Sequence, residues 1–261
     1  MKNVSMSEFS YSEFLEYINK TPRVAGYKTG IDKSSESNGK DFTGTETYAE
    51  AMNLATYGWE SGIKELELHK DLIIDGQMEC EHHIIGSSVD VGRYLSGAPD
   101  CMFHFVDKVE RDKPELTIYT ELSYSAWNSQ EKAQEYAKKV LEIVTKANQN
   151  HSVKLVGIFS TSNYASEGRH LSAEFITIKD FYQQFVLNNI AFSFHPSFFR
   201  RLWFRFAETR PYRGSGYGQC MSESQIKEML VSNKKDKNKS WLLPPFQHRQ
   251  LDWKEDDIFE F

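Results

Sequence analysis

Glu115-Leu-Thr-Ile-Tyr-Thr-Glu-Leu122 and Val153-Lys-Leu-Val-Gly-Ile-Phe-Ser160, separated by the helical period of 129–148, decide the fold of this chain. Residues 116–122 and 153–160 are short apolar runs of strand length, the second apolar enough to be buried on both faces. Between them Ala133, Tyr136, Ala137, Val140, Leu141 and Val144 recur on one face of a helix. Two strands joined through a helix of this length read as a βαβ unit. Working outward, 171–178 reads as a further strand and Asp180 caps a short helix through Leu187. A short strand at 190–194 and a helix that Pro196 starts and that runs to Glu208 follow. This alternation predicts an α/β fold, Rossmann-like, with a mostly parallel sheet flanked by helices and an N-terminal helical region.

Residues 7–19 carry Phe9, Phe14, Leu15 and Ile18 at helical spacing, and the polar run 28–41 reads as an exposed, mobile loop. Thr47 and Glu50 have the spacing of a capping box ahead of Tyr48, Ala51, Met52 and Ala55, and Gly58 ends that helix. A second helix over 61–72, with Ile63, Leu66 and Leu68 inward, would complete a helical hairpin. The Gly- and Pro-punctuated stretch 89–99 places Asp90 and Arg93 near enough to pair, either as a structural turn or as a binding loop. Beyond it come a glycine-rich loop at 210–218, a helix at 223–231, a lysine-rich segment at 233–240 and Pro244-Pro245. The expected organisation is an N-terminal helix and mobile loop at 1–41, an α/β domain at 42–231, and a lysine-rich linker with an acidic aromatic tail at 232–261.

Composition narrows the classes. The 261 residues hold 31 Lys and Arg against 37 Asp and Glu, a net charge of −6, which is not the positive field of a dedicated duplex binder. Three cysteines at wide spacing read as reduced thiols of a cytoplasmic protein. The first residues are acidic where a secretory leader is apolar, and no run approaches ~20 apolar residues, so no membrane association is expected. A nucleophile elbow, a P-loop and a dinucleotide fingerprint are all missing from the sequence.

Several groups of residues could bind a ligand or partner. Glu121-Leu-Ser123-Tyr-Ser125 stands where the first strand of the βαβ unit ends, which is where open α/β sheets hold ligands. There the sequence resembles von Willebrand A-type domains, whose metal-ion-dependent adhesion site carries an acidic residue and two serines in an Asp-x-Ser-x-Ser pattern. The resemblance implies Glu121, Ser123 and Ser125 as the corresponding positions, with Thr161 and Asp180 as later elements and Mg2+ as the ion. Glu in place of Asp displaces the carboxylate by one methylene, so a degenerate, metal-free scaffold with no cofactor is the leading expectation. Cys80, Glu81, His82, His83, Cys101 and His104 offer zinc-type ligands at poor spacing.

Arg200, Arg201 and Arg205, interleaved with Phe198, Phe199, Trp203 and Phe206, fit a stacking face for single-stranded nucleic acid. They fit equally an amphipathic helix whose aromatics pack on the sheet. The tail residues Trp253, Asp256, Asp257, Phe259 and Phe261 look like the acidic, Phe-ended tails with which single-strand-binding proteins dock replication partners.

The blocks Phe42-Thr-Gly-Thr-Glu-Thr-Tyr48 with Gly58-Trp59, Val89-Asp-Val-Gly-Arg-Tyr-Leu-Ser-Gly97 with Pro99 and Met102, and His195-Pro-Ser-Phe-Phe-Arg-Arg-Leu202 resemble an uncharacterised family carried by bacteriophages and other mobile elements. The resemblance spans roughly residues 40 to 220 and implies a context, with virion association among its options, without a mechanism. The sequence is therefore read as a phage- or mobile-element-encoded, non-enzymatic macromolecule-binding protein with a protein partner. A single-strand nucleic-acid-binding protein regulated by its acidic tail is the alternative, and a divalent-metal-dependent hydrolase the second.

Overall fold

The computed structural model describes residues 4–24, 34–66, 78–85, 88–107, 113–126, 128–165, 168–183, 187–210, 217, 219–234, 238–246 and 253–261. Its strands are β1 (Val4–Ser10), β2 (Met78–His83), β3 (Ser88–Val89), β4 (Met102–Asp107), β5 (Glu115–Glu121), β6 (Ser152–Ala165), β7 (Gly168–Lys179), β8 (Lys239–Leu242) and β9 (Phe259–Glu260). Among the helices, α1 (Tyr11–Lys20), α2 (Ser34–Ser37), α3 (Lys40–Thr43), α4 (Tyr48–Tyr57) and α5 (Gly62–Glu65) precede α6 (Val91–Leu95) and α7 (Gln130–Asn150). The last are α8 (Leu187–Phe192), α9 (Phe204–Ala207), continuous with a π-helical turn at Phe198–Trp203, and α10 (Glu223–Asn233).

The βαβ unit forms as the periodicity predicts. Strands β5 and β6 pair in parallel, Leu116 opposite Val153 and Glu121 opposite Ile158, with α7 crossing between them. Ser129 caps α7 by accepting the Lys132 N–H, and Ala133, Tyr136, Ala137, Val140, Leu141 and Val144 are buried. The sheet has the order β1-β7-β6-β5-β8-β9 and is mixed. Its β1–β7, β6–β5 and β5–β8 pairs are parallel, while β6–β7 and β8–β9 are antiparallel. The β6–β7 pair is the one inside the sheet that runs against a parallel arrangement. Both strands run longer than their apolar cores, leaving two residues between Ala165 and Gly168. A connection that short joins only antiparallel neighbours, because a parallel return needs a dozen or more residues.

Two other elements differ from the sequence reading. Residues Val4–Ser10 form a parallel edge strand against β7, and the helix begins only at Tyr11. Its start is a capping box in which Ser10 and Glu13 bond each other's backbone N–H. The expected strand at 190–194 is instead the end of α8 and a turn, since a buried apolar run this short has no period that separates the two states. Within the expected loop, residues 34–37 form a helical turn and residues 40–41 begin another that runs to Thr43, and Ser35 is buried. The expected helix over 61–72 is described only as the short α5, and its continuation from residue 67, like most of the glycine-rich loop, lies outside the described residues.

Alternation along the strands sends apolar side chains to two clusters. Leu155, Phe159 and Ile176 join α1, α4, α7, α8 and the π-helical turn on one face. Val156, Ile158, Ala173 and Phe175 meet Ile226, Met229 and Leu230 of α10 on the other. Segments from both ends of the chain share this sheet: β1 at one edge, β8 and β9 at the other. A separate three-stranded sheet, β2-β4-β3, carries α6. Among the described residues no helix is long and apolar enough to cross a membrane.

Candidate functional site

The end of β5 carries a buried acid. Glu121 is fully inaccessible, and its Oε1 accepts from the Ser160 hydroxyl (2.9 Å), the Ser160 N–H (3.3 Å) and the Ser123 hydroxyl. The β5–β6 register builds this cluster, because β6 places Ser160 two residues beyond the partner of Glu121. Its other oxygen, Oε2, has no hydrogen-bond partner. Desolvation pushes the Glu121 carboxyl up to about 8, with Glu174 adding repulsion against the lowering effect of the Ser160 bonds. At neutral pH it is therefore a carboxylic acid.

Glu121 opens onto a cavity of about 10 Å3 shared with Tyr124, Tyr136, Ser193, His195, Phe199 and Phe246. His195 comes from the turn after α8 and is held on three sides. Trp59 meets its ring edge-on at 4.6 Å, Phe192 stacks at 5.5 Å, and a Cβ on Gly44 would stand 2.7 Å from its Cε1. Gly44 has φ +85°, so both backbone and space require glycine there. Its Nδ1 accepts the Ser197 N–H at 3.2 Å, which puts the proton of the neutral ring on Nε2. Burial pulls the His195 imidazole down to about 4. The cavity is thus lined by a protonated acid and a neutral imidazole.

The adhesion-site pattern is realised in part. Ser123 bonds Glu121, whereas Ser125 is half-buried, with its carbonyl accepting the Asn128 N–H. Thr161 bonds Ser172, and Asp180 lies beside Lys154 at the far end of β6. Six residues of strand separate Lys154 from Ser160, roughly 20 Å, so Asp180 stands away from Glu121. Among the described residues no group of three or more His, Cys, Asp or Glu side chains could hold a metal ion. Of the zinc-type set, the side chains of Cys80, Glu81, His83 and His104 lie outside the described residues, and His82 bonds Asp90 at 3.0 Å.

The basic and aromatic stretch is turned inward. Arg201 is fully buried and donates to the Thr45 hydroxyl and to the carbonyls of Ser35, Asn38, Thr45 and Glu46. Arg200, also buried, donates to Phe42 O and Asn128 O and lies over the Phe42 and Tyr124 rings. Trp203 packs on Phe159 and donates to Glu174, while the half-buried Arg205 donates to Thr21 O. These guanidinium groups tie the 35–46 segment to the body and do not form an exposed face. The packing reading of this helix is the one its geometry matches.

The first and third sequence blocks meet here. Ser197 donates to Thr43 O at 2.8 Å, and Arg200 and Arg201 close on Phe42 and Thr45. The second block stands apart on the small sheet. Asp90 caps α6 by accepting the Arg93 N–H at 3.1 Å and bonds His82, and its carboxyl is held below the usual range by those bonds. Arg93 donates to Asp100 Oδ2 at 2.6 Å, so the expected Asp90–Arg93 contact is a helix cap and not a side-chain ion pair. Six of the ten large apolar side chains exposed among the described residues fall in this arm: Ile84, Ile85, Val89, Val91, Tyr94 and Leu95. Leu95 is 78% exposed, and α6 buries none of its residues.

The tail residues lie along the body. Lys139 Nζ sits 4.2 Å from the Trp253 ring centroid and donates to Trp253 O. Phe259 and Phe261 stack at 5.4 Å, Phe261 faces Tyr119 at 5.9 Å, and β9 pairs with β8. Asp256 and Asp257 are exposed, with Asp257 accepting the Lys254 N–H. Sequence reasoning missed Ser160, Tyr124 and Cys220 around Glu121; His195, just before Pro196, caps the helix that follows by accepting the Ser197 N–H, and what the sequence did not show is that its ring also lines this cavity. The Cys220 thiol is pushed up to about 12, chiefly by burial, so it is no nucleophile near neutral pH.

No curated protein and no solved structure matches the sequence. A family model spans it from residue 2 to residue 260, and the chain belongs to that family, described as Domain of unknown function (DUF7192).

Proposed function

We propose that the protein is a non-enzymatic macromolecule-binding protein, encoded by a phage or mobile element, that holds a protein partner through the apolar face of the β2-β4-β3 arm. The observation that carries this reading is the exposure of Val89, Val91, Tyr94 and Leu95 together on one small arm. Val91, Tyr94 and Leu95 stand at i, i+3 and i+4, so they share one face of α6. Exposed apolar groups gathered in this way mark interaction sites, whereas scattered ones are ordinary surface. Asp90, Arg93 and Asp100 satisfy one another or the backbone and shape the arm, leaving the apolar side chains as its contact chemistry.

A metal-free von Willebrand A-like scaffold is the reading of the larger sheet that we favour. Its support is the order Glu121, Ser123, Ser125 at the end of β5 and the protonated state of Glu121, which makes a poor ligand for a hard cation. Phage or mobile-element origin rests on the three sequence blocks.

The test substitutes Val91→Asp and Leu95→Asp together. Neither side chain is packed, so the melting temperature stays within a degree or two of wild type, by the small effect of surface substitutions. Retention of a protein partner from extracts of the cells that carry the gene is lost in the variant. Equal retention by both proteins overturns the reading. Binding of a labelled oligonucleotide that weakens steeply with salt would favour the single-strand alternative. A saturable rise in melting temperature with Mg2+ that Glu121→Ala abolishes would favour the metal-dependent one.

A further inference from the structure

Two buried polar atoms without a hydrogen-bond partner, Glu121 Oε2 and the Tyr124 hydroxyl, belong to residues that line the same cavity. Ser193 and His195 line it as well, and its remaining walls are apolar: Leu122, Ala133, Phe194, Phe199 and Phe246. Its volume, about 10 Å3, is the room that one water molecule takes and is far below that of any organic substrate. A buried water needs two to four polar partners, and Glu121, Tyr124 and His195 supply three. We propose that this cavity is a hydration site for a single ordered water, which bridges Glu121 at the end of β5 to Tyr124 and to the turn that carries His195.

The roles follow from what each atom already does. Oε1 of Glu121 accepts from the Ser160 hydroxyl and the Ser160 N–H, which leaves Oε2 to carry the acid proton and donate it to the water. His195 Nδ1 is occupied by the Ser197 N–H, leaving Nε2–H as its free donor. The water therefore links the sheet to the helical layer through neutral groups only. Ionising Glu121 removes the donor on Oε2 and breaks the pattern. Charged or titratable groups around it are Cys220 and Glu174, which act on Glu121 electrostatically, Tyr136, whose hydroxyl bonds Thr120, and Arg200 over the Tyr124 ring.

Infrared difference spectroscopy reads this site directly. Wild type should show a carboxylic-acid carbonyl stretch at neutral pH that Glu121→Gln removes and that titrates away with a midpoint near 8. Tyr124→Phe, which deletes one partner of the water, should shift both the stretch and its midpoint while the amide bands of the sheet stay in place. A stretch and midpoint unmoved by Tyr124→Phe overturn the proposal, as does the absence of the stretch in wild type. If Tyr124→Phe does not fold, wild-type crystals decide. Density for one water within about 3 Å of Oε2 supports the site, and Oε2 bonded directly to the tyrosine refutes it.

Discussion

Glu121 and His195 are displaced in opposite directions by one cause, the removal of both from water, and their opposition sets the pH dependence of stability. Glu121 rises from 4.5 to about 8, so between these values the folded protein holds a proton that the unfolded chain has lost, and stability falls as pH rises. His195 drops from 6.5 to about 4, so between those values the unfolded chain holds the extra proton, and stability rises with pH. The two slopes oppose each other from about 4.5 to 6.5. From 6.5 to 8 the Glu121 slope stands alone among these two, worth about 1.4 kcal/mol per pH unit at full strength. Lys179, lowered from 10.5 to about 8 by burial, acts only above that window. Urea unfolding at pH 6.5, 7.25 and 8 should show wild type losing stability more steeply than Glu121→Gln, in which Glu174, a second carboxyl raised by burial, is left to supply any fall. A wild-type protein whose stability does not fall across this window would contradict the assignment. The sequence made Glu121 and Ser123 legible because they sit at the end of a recognisable strand. Ser160 and His195 were not, since only the register of β6 and the turn after α8 bring them to that strand.

At the scale of elements, local signals fared better than pairing. The α7 period, the Ser129 cap and the Thr47 cap of α4 stand in the chain as they stand in the fold. The Ser10–Glu13 capping box was also in the sequence, and it would have moved the start of the first helix from residue 7 to residue 11. Strand direction was less legible, because apolar periodicity marks the buried middle of a strand and not its polar extension into a hairpin such as β6–β7. The tail is the element whose role is most open to measurement. Removing the residues after Gln250 strips β9 from the sheet edge and takes Phe261 from Tyr119 and Trp253 from Lys139. These two rings are half-buried, and at about half of 1.5–3 kcal/mol each the truncation should cost about 1.5–3 kcal/mol. A lower urea midpoint for the truncated protein is the expected result. An unchanged midpoint, with loss of a bound partner, would make the tail the docking segment instead.

For the whole molecule, the two sheets have different tasks. The six-stranded sheet buries its apolar surface on both faces, and Arg200 and Arg201 spend their charge inside it on backbone carbonyls. The arm does the reverse, satisfying its charges within itself and leaving its apolar side chains in water. Sequence alone could place Asp90 and Arg93 on a loop but could not show that the residues between and beside them face outward, because three apolar positions on a five-residue helix read equally as core. The most direct measurement is photo-crosslinking in the cells that carry the gene, with a benzophenone side chain in place of Tyr94 and a control at Lys132 on the exposed side of α7. The account predicts a discrete adduct at position 94, sensitive to protease and not to nuclease, and none at 132. No adduct at 94, or one that nuclease removes, would contradict it.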